Sequence, residues 1–339
     1  MVSARKVIDE VSGWLRVYDD GSIDRTWSGR SEVNALASPV PPSAPAFVDG
    51  VATRDLIIDD ASSLSVRIYV PEKKQHQHEK LPVLLHFHGG GFCVSRADWY
   101  MYYQFYTRLV ASARAICVSV DMRLAPEHRL PAAVDDCRAA LLWLRAVARG
   151  EAPEPWLDLG ARTDFERIFV VGDSSGANLV HEVVAQAGAE ELSPLKLAGA
   201  LLLHPGFVRT EWSKSEAELP SDTAFLTLEM IDKFLAMALP AGSTKEHPIT
   251  CPMGPAAPRL EDLRLPPVVV AVAEGDLMCD TQLEYVGAMK KAGKDVELLM
   301  SPGMKHCFYL NRNAIDSDPE TAAQTDTLIA TIVRFIKRR

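Results

Sequence analysis

The chain has 339 residues, 47% of them hydrophobic and 24% charged, with a formal net charge of −9. That balance excludes disordered, collagen-like and fibrous classes and leaves one large domain or two modest ones. The acidic sum repels phosphate backbones and anionic lipid heads, so nucleic-acid and membrane-surface partners are not expected. Cys93, Cys117, Cys137, Cys251, Cys279 and Cys307 are scattered, with no pair at two-residue spacing. Neither a disulfide framework nor a clustered zinc site follows from such a pattern. Lys6, Asp9 and Glu10 interrupt the apolar run a signal peptide needs. No apolar stretch reaches the ~18 residues of a membrane span. A cytosolic protein is expected.

In chain order, residues 1–45 read as an arm or cap laid over a core: Asp19-Asp20-Gly21-Ser22 is a turn signal, and 34–45 is a proline-rich connector. Residues 56–58 and 66–70 read as short strands forming an antiparallel edge, followed by a polar loop over 72–80 in which His76 and His78 are not expected to hold a metal. Residues 83–87 read as a strand, 99–113 as a helix and 115–120 as a strand. Apolar residues at 134, 137, 141, 144 and 147 give 132–149 a helical period. A strand over 168–171, a helix over 175–187 and strands over 197–203 and 268–273 follow. The chain closes with a helix over 282–292, a strand over 296–300 and a helix over 321–337. Near-continuous apolar strands alternating with helices predict an α/β fold with a mostly parallel sheet covered on both faces. Residues 207–258 break the alternation and read as a cap insertion holding a helix over 228–239, so the expected organisation is a single domain over 1–339.

The sharpest motif is Gly172-Asp173-Ser174-Ser175-Gly176, a G-x-S-x-G frame between a predicted strand and a predicted helix. A nucleophile lifted above a sheet sits on a turn so tight that side chains two residues to either side would collide. Ser175 fails the same frame, because Asp173 and Ala177 would flank it. Upstream, His88-Gly89-Gly90-Gly91-Phe92 follows a strand directly. Three glycines suit a loop whose amides hold the oxyanion of an acyl-transfer intermediate. Gly90, Gly91 and Ser175 are the expected donors, with Gly89 a close alternative. Neither G-x-G-x-x-G nor a Walker pattern is present, so nucleotide binding is not expected.

A serine nucleophile needs a base, and the base needs an orienting carboxylate. Of the histidines after Ser174, His181 lies two helical turns along the same helix, His204 ends a strand as a structural histidine and His247 falls in the insertion. His306, in the loop after the last strand, remains. Asp276 follows the strand over 268–273, where ligands collect in open parallel sheets; Asp280 is its rival.

These motifs, with AEGDLMCD, GMKHCFY and DMRLAPEHRLPAAVDD, resemble the plant carboxylesterases of the hormone-sensitive-lipase type over nearly the whole chain. VIDEVSGWLRVYDDGSIDRTWSG and LHPGFVRTEWSKSE are especially similar to the hypersensitivity-related plant esterases. The resemblance implies an α/β-hydrolase fold, a Ser174–Asp276–His306 triad, an oxyanion loop at 88–91 and a cap built from the arm and the insertion. The chain departs from the family where Cys307 stands in place of a frequent glycine and Met122 in place of a tyrosine. Residues 123–131 show no catalytic geometry and read as a rigid, ion-paired buttress of the glycine loop. His86 and His88 share a strand face, and His88 is expected to hold its loop.

Phe92, Phe207, Phe225 and Phe308 are candidates for an apolar substrate pocket, with Trp99 and Trp212 nearby. The expected activity is hydrolysis of small, uncharged carboxylic esters through an acyl-enzyme. No metal or organic cofactor is required, and the chain is expected to be a monomer or homodimer. Two rivals share the scaffold. A hormone receptor similar to the gibberellin receptor is disfavoured because the resemblance implies loss of the catalytic histidine there. A lyase resembling the plant isoflavanone dehydratases would turn the same loop and base to elimination.

Overall fold

The computed structural model describes residues 5–26, 28–29, 31–73, 80–158, 162–219 and 226–339. His76, His78 and Phe225 lie outside them. The arm opens with a small antiparallel sheet of β1 (Val7–Val11), β2 (Leu15–Tyr18) and β3 (Ile23–Asp24). The predicted turn joins β2 to β3: Asp20 Oδ1 accepts from Ser22 N at 2.9 Å, and Gly21 takes φ 80°. The arm strands were not legible in sequence because most of their residues are partly or fully exposed and carry no clean alternation.

After α1 (Ser31–Asn34) come β4 (Val51–Asp59), β5 (Leu64–Pro71), β6 (Leu81–Phe87), α2 (Tyr100–Ala113), β7 (Ile116–Asp121), α3 (Ala132–Ala148) and α4 (Pro155–Asp158). They are followed by β8 (Thr163–Asp173), α5 (Ser175–Ala187), β9 (Leu197–Leu203), α6 (Lys214–Glu218) and α7 (Leu228–Ala238). The chain ends with β10 (Val268–Ala273), α8 (Cys279–Lys291), β11 (Val296–Ser301), α9 (Arg312–Ser317) and α10 (Pro319–Arg338). The large sheet has eight strands in the order β11-β10-β9-β8-β6-β7-β5-β4. Neighbours from β11 to β7 are parallel, while β5 runs against both β4 and β7. Strands β6, β7 and β10 are buried almost throughout, which is why they read as unbroken apolar runs.

The strand order locates the site. From β6 the chain crosses by α2 to β7, then returns by α3 past β6 to β8. Right-handed crossovers in opposite directions put α2 and α3 on opposite faces and open a crevice between the carboxyl ends of β6 and β8. Consistent with this, α2 packs with α10, and α3 with α5. Register sharpens the placement: Phe87 pairs with Gly172, Asp173 with Leu203 and Ala273 with Ser301. The loops leaving β6, β8, β9, β10 and β11 therefore emerge along one edge.

The apolar core is continuous from Val11 and Trp14 of the arm to Phe335 of α10. Trp14 stacks on Trp99 with centroids 6.2 Å apart. Arg25 binds the arm to the body: its Nε donates to Cys93 O at 2.6 Å, and Nη2 donates to Ala125 O at 2.9 Å and Glu127 Oε2 at 2.5 Å. Arg129 donates to the carbonyls of Ala236 and Leu239 at the end of α7, and Ala125 N donates to Phe92 O. The 123–131 loop thus joins arm, glycine loop and insertion. Among the described residues no helix is long and apolar enough to cross a membrane.

Replacing Arg25 by Ala leaves two carbonyls and the Glu127 carboxylate without their donor. Chemical denaturation is expected to show a loss of about 1–3 kcal/mol, and hydrogen exchange should quicken in β1–β3 before the large sheet.

Candidate active site

Ser174 sits between β8 and α5 with φ 51° and ψ −125°, outside the regions an L-residue favours. A Cβ on Gly172 would lie 2.4 Å from Gly176 O, and one on Gly176 would lie 2.1 Å from Phe87 O. Backbone meets backbone at both places, so the flanking glycines are a steric requirement of the turn. Ser174 N donates to Leu203 O at 3.0 Å, and Ser174 O accepts from Ala177 N and Gly206 N. Although Ser174 is the N-cap of α5, its side chain makes no capping bond. Its hydroxyl instead lines a cavity at the helix N-terminus, where partial positive charge favours an anion.

His306 lines the same cavity. Its Nδ1 lies 2.6 Å from Asp276 Oδ2, and its buried Nε2 has no partner among the described residues. Asp276 is fully buried and also accepts from Gln282 Nε2 at 2.9 Å and Met278 N at 3.0 Å. Burial pushes the Asp276 carboxyl up, but the His306 ring, with smaller help from His204 and the Met278 amide, outweighs it and holds the group below the ordinary carboxylate value. Burial likewise opposes charge on His306, and the adjoining carboxylate prevails, raising the imidazole well above its ordinary value. Asp280 is elsewhere, accepting from Ser215 N at the start of α6 at 2.7 Å. Gln282, buried under the pair, carried no sequence signal.

His204 holds the His306 loop from behind. Burial lowers its pKa to about 3, leaving it neutral, and its Nδ1 accepts from Cys307 N at 2.8 Å. Cys307 has φ 50°, a left-handed backbone in which glycine is at ease. His204, His306 and Cys307 offer ligand atoms within 4.8 Å of one another. Both Nδ1 atoms are engaged, one by Asp276 and the other by the Cys307 amide, while both Nε2 atoms have no partner among the described residues.

The glycine loop lies across the crevice. Gly90 and Gly91 take φ 99° and 59°, and their amides meet no protein acceptor among the described residues. Ser175 is the first residue of α5, where an amide has no intrahelical acceptor. The amide of Gly89, by contrast, is engaged by Asp173 Oδ2 at 3.1 Å and Tyr102 Oη at 3.2 Å, which removes it from the set of available donors. His88 Nδ1 is bonded to Gly89 O at 2.9 Å.

Of the aromatic candidates, Phe92 lines the cavity. Phe207 does not: its buried ring packs 4.7 Å from Tyr285 and 6.3 Å from His181. Phe308 begins a 3-10 turn that swings its ring behind the His306 loop, 5.7 Å from His204. Trp99 supports Trp14, and Trp212 is 61% exposed. The walls come instead from Trp14 of the arm, Met101 of α2 and Leu226, Ile231, Phe234 and Leu235 in and beside α7. Proximity in sequence to the motifs could not reveal them; the helical period of 228–239 could have.

A family model described as alpha/beta hydrolase fold matches residues 84–310. The chain is 36% identical over 306 residues to "Probable carboxylesterase 6" of Arabidopsis thaliana, covering 90% of this chain and 85% of that protein. It is 34% identical over 343 residues to 2-hydroxyisoflavanone dehydratase of Glycyrrhiza echinata, covering 98% and 97% respectively. Among solved structures, a fungal esterase from Rhizomucor miehei matches with a TM-score of 0.70 at 25% identity over 85% of each chain.

Nitrogen-detected NMR is expected to find His306 titrating above the ordinary imidazole range. In Asp276→Asn the carboxylate is gone while burial remains, so the ring should titrate below about 6.5. An unmoved titration would show that Asp276 does not set the charge of His306.

Proposed function

The chain belongs to the α/β-hydrolase fold family and is a carboxylic ester hydrolase, and we propose that it is a serine carboxylesterase acting on small, uncharged esters. The observation that carries this reading is the 2.6 Å pairing of His306 Nδ1 with Asp276, with Nε2 unpartnered in the cavity that Ser174 lines.

In its deprotonated form, His306 takes the Ser174 proton at Nε2 as the hydroxyl oxygen attacks the ester carbonyl. The carbonyl oxygen becomes an oxyanion, received by the amides of Gly90, Gly91 and Ser175. Imidazolium then protonates the leaving alcohol, and an acyl-Ser174 remains. Water, deprotonated by the same nitrogen, attacks the acyl carbon, and the imidazolium returns the proton to the Ser174 oxygen as the acid leaves. Asp276 stays ionised throughout, holding the tautomer and stabilising the imidazolium. Among the described residues the cavity lining is mostly apolar and includes no lysine or arginine, which favours a neutral ester. Residues 1–45 and 207–258 act as the cap, supplying Trp14 and the α7 wall. All six cysteines are free, which fits a reducing compartment such as the cytosol.

A second reading comes from the dehydratase relative, which matches 98% of this chain. In it, His306 would abstract the proton beside a ketone, the amides would hold the enolate, and the β-hydroxyl would take that proton and leave as water as the C–O bond breaks.

Ser174→Ala and His306→Ala are each expected to lower kcat on a short-chain aryl ester by roughly 10⁴-fold or more. An organophosphate should label Ser174 in the wild type. A wild type silent toward esters and the organophosphate, yet active in eliminating water from a β-hydroxy ketone, would overturn hydrolysis in favour of the second reading.

A further inference from the structure

The carboxylate of Asp173 has no part in the steps above, yet it is buried one residue from the nucleophile, only 3% exposed. Three donors converge on it. His86 Nε2 lies 3.2 Å from Oδ1, while Gly89 N and Tyr102 Oη lie 3.1 and 3.2 Å from Oδ2. Burial lowers the pKa of His86. The neutral ring then carries its proton on Nε2 and accepts at Nδ1 from Ser119 Oγ, 2.8 Å away. Both carboxyl oxygens are therefore engaged, Oδ1 by the imidazole and Oδ2 by the amide and the phenol.

The position of these bonds gives them their meaning. Asp173 grips Gly89 at the start of the glycine loop. At the far end, Phe92 N donates to Ser175 Oγ at 3.2 Å. The two residues flanking Ser174 therefore hold the two ends of the loop, and Gly90 and Gly91 are suspended between them. A Cβ on Gly89 would lie 2.5 Å from Asp173 Oδ2 and 3.1 Å from Ser174 Cβ, so the first glycine is what lets the carboxylate reach the amide.

Resting on the esterase reading, we propose that Asp173 is a positioning residue that sets the oxyanion loop relative to the nucleophile, and that Gly89 is its anchor rather than a donor. The loop by itself is glycine-rich and backbone-entropic. Donors aimed at a developing charge help only if they are already in place when the charge appears. Coupling the loop to the residue beside Ser174 makes donor and nucleophile move as one body.

The test compares wild type, Asp173→Ala and Asp173→Asn on an aryl ester, with an aryl trifluoromethyl ketone as transition-state probe and the product acid as ground-state probe. Asp173→Ala is expected to lower kcat about 100- to 1000-fold with little change in KM. Its affinity for the ketone, whose adduct with Ser174 carries an oxyanion, should fall by the same factor while its affinity for the acid holds. Asp173→Asn can keep its oxygen on Gly89 and Tyr102 and donate to His86 in the other tautomer, so its kcat should stay within about tenfold of wild type. Should the alanine variant not fold, Tyr102→Phe removes one donor to Oδ2 and is expected to lower kcat and ketone affinity together.

The proposal is overturned if folded Asp173→Ala keeps wild-type kcat. It is equally overturned if Asp173→Asn matches the alanine variant, or if ketone and acid affinities fall alike. A wild type that does not hydrolyse the ester would strike the esterase reading instead, which separates the two failures.

Discussion

Everything at the site hangs on one steric constraint: the chain must leave β8, reverse at Ser174 and enter α5 within a turn that admits no side chain two residues to either side. Such a backbone costs on the order of 1–3 kcal/mol and persists only where its surroundings over-determine it. Here they do. Ser174 N is bonded to the end of β9, its carbonyl accepts from Ala177 and Gly206, and β8 is clasped between β6 and β9. The strain is held by the sheet, and Ser174, whose side chain makes no capping bond, lines the cavity.

Electrostatics is built around this turn by two buried carboxylates with different partners. Asp276 has an imidazole that can accept a proton, so the pair shares a titration that can follow a reaction. Asp173 meets an amide, a phenol and an imidazole, which engage both its oxygens and tie it to the glycine loop. Environment rather than residue type divides the two roles. The formal net charge of −9 belongs to the chain as a whole, while the described lining of the cavity is mostly apolar around these polar groups.

The cap is bound into the same frame. A Cβ on Gly91 would fall 2.5 Å from Phe234 Cγ, so α7 rests directly on the glycine loop. Arg129 holds the end of that helix, and Arg25 holds the arm to Glu127. The left-handed backbone of Cys307 is one that glycine would adopt without strain. The cysteine accepts a conformational cost of about 1–2 kcal/mol there.

What the sequence determined by itself was everything that depends on spacing along one strand and the loop after it. The buried parallel strands appear as apolar runs, the Ser174 turn as two obligatory glycines and the glycine loop as an entropic cost in need of a reason. His306 emerged by elimination among the histidines after Ser174, and Asp276 was favoured over Asp280 by its place at a strand end. Tertiary structure decided what depends on distance across the chain. It placed Phe207 and Phe308 in the core and brought Trp14 and Phe234 to the cavity, because a phenylalanine beside a motif has the same composition whichever way its ring turns. It also put Gly89 in the grip of Asp173, 84 residues away. That contact follows from the register of β6 against β8, and register is fixed by packing on both faces of the sheet rather than by either strand alone.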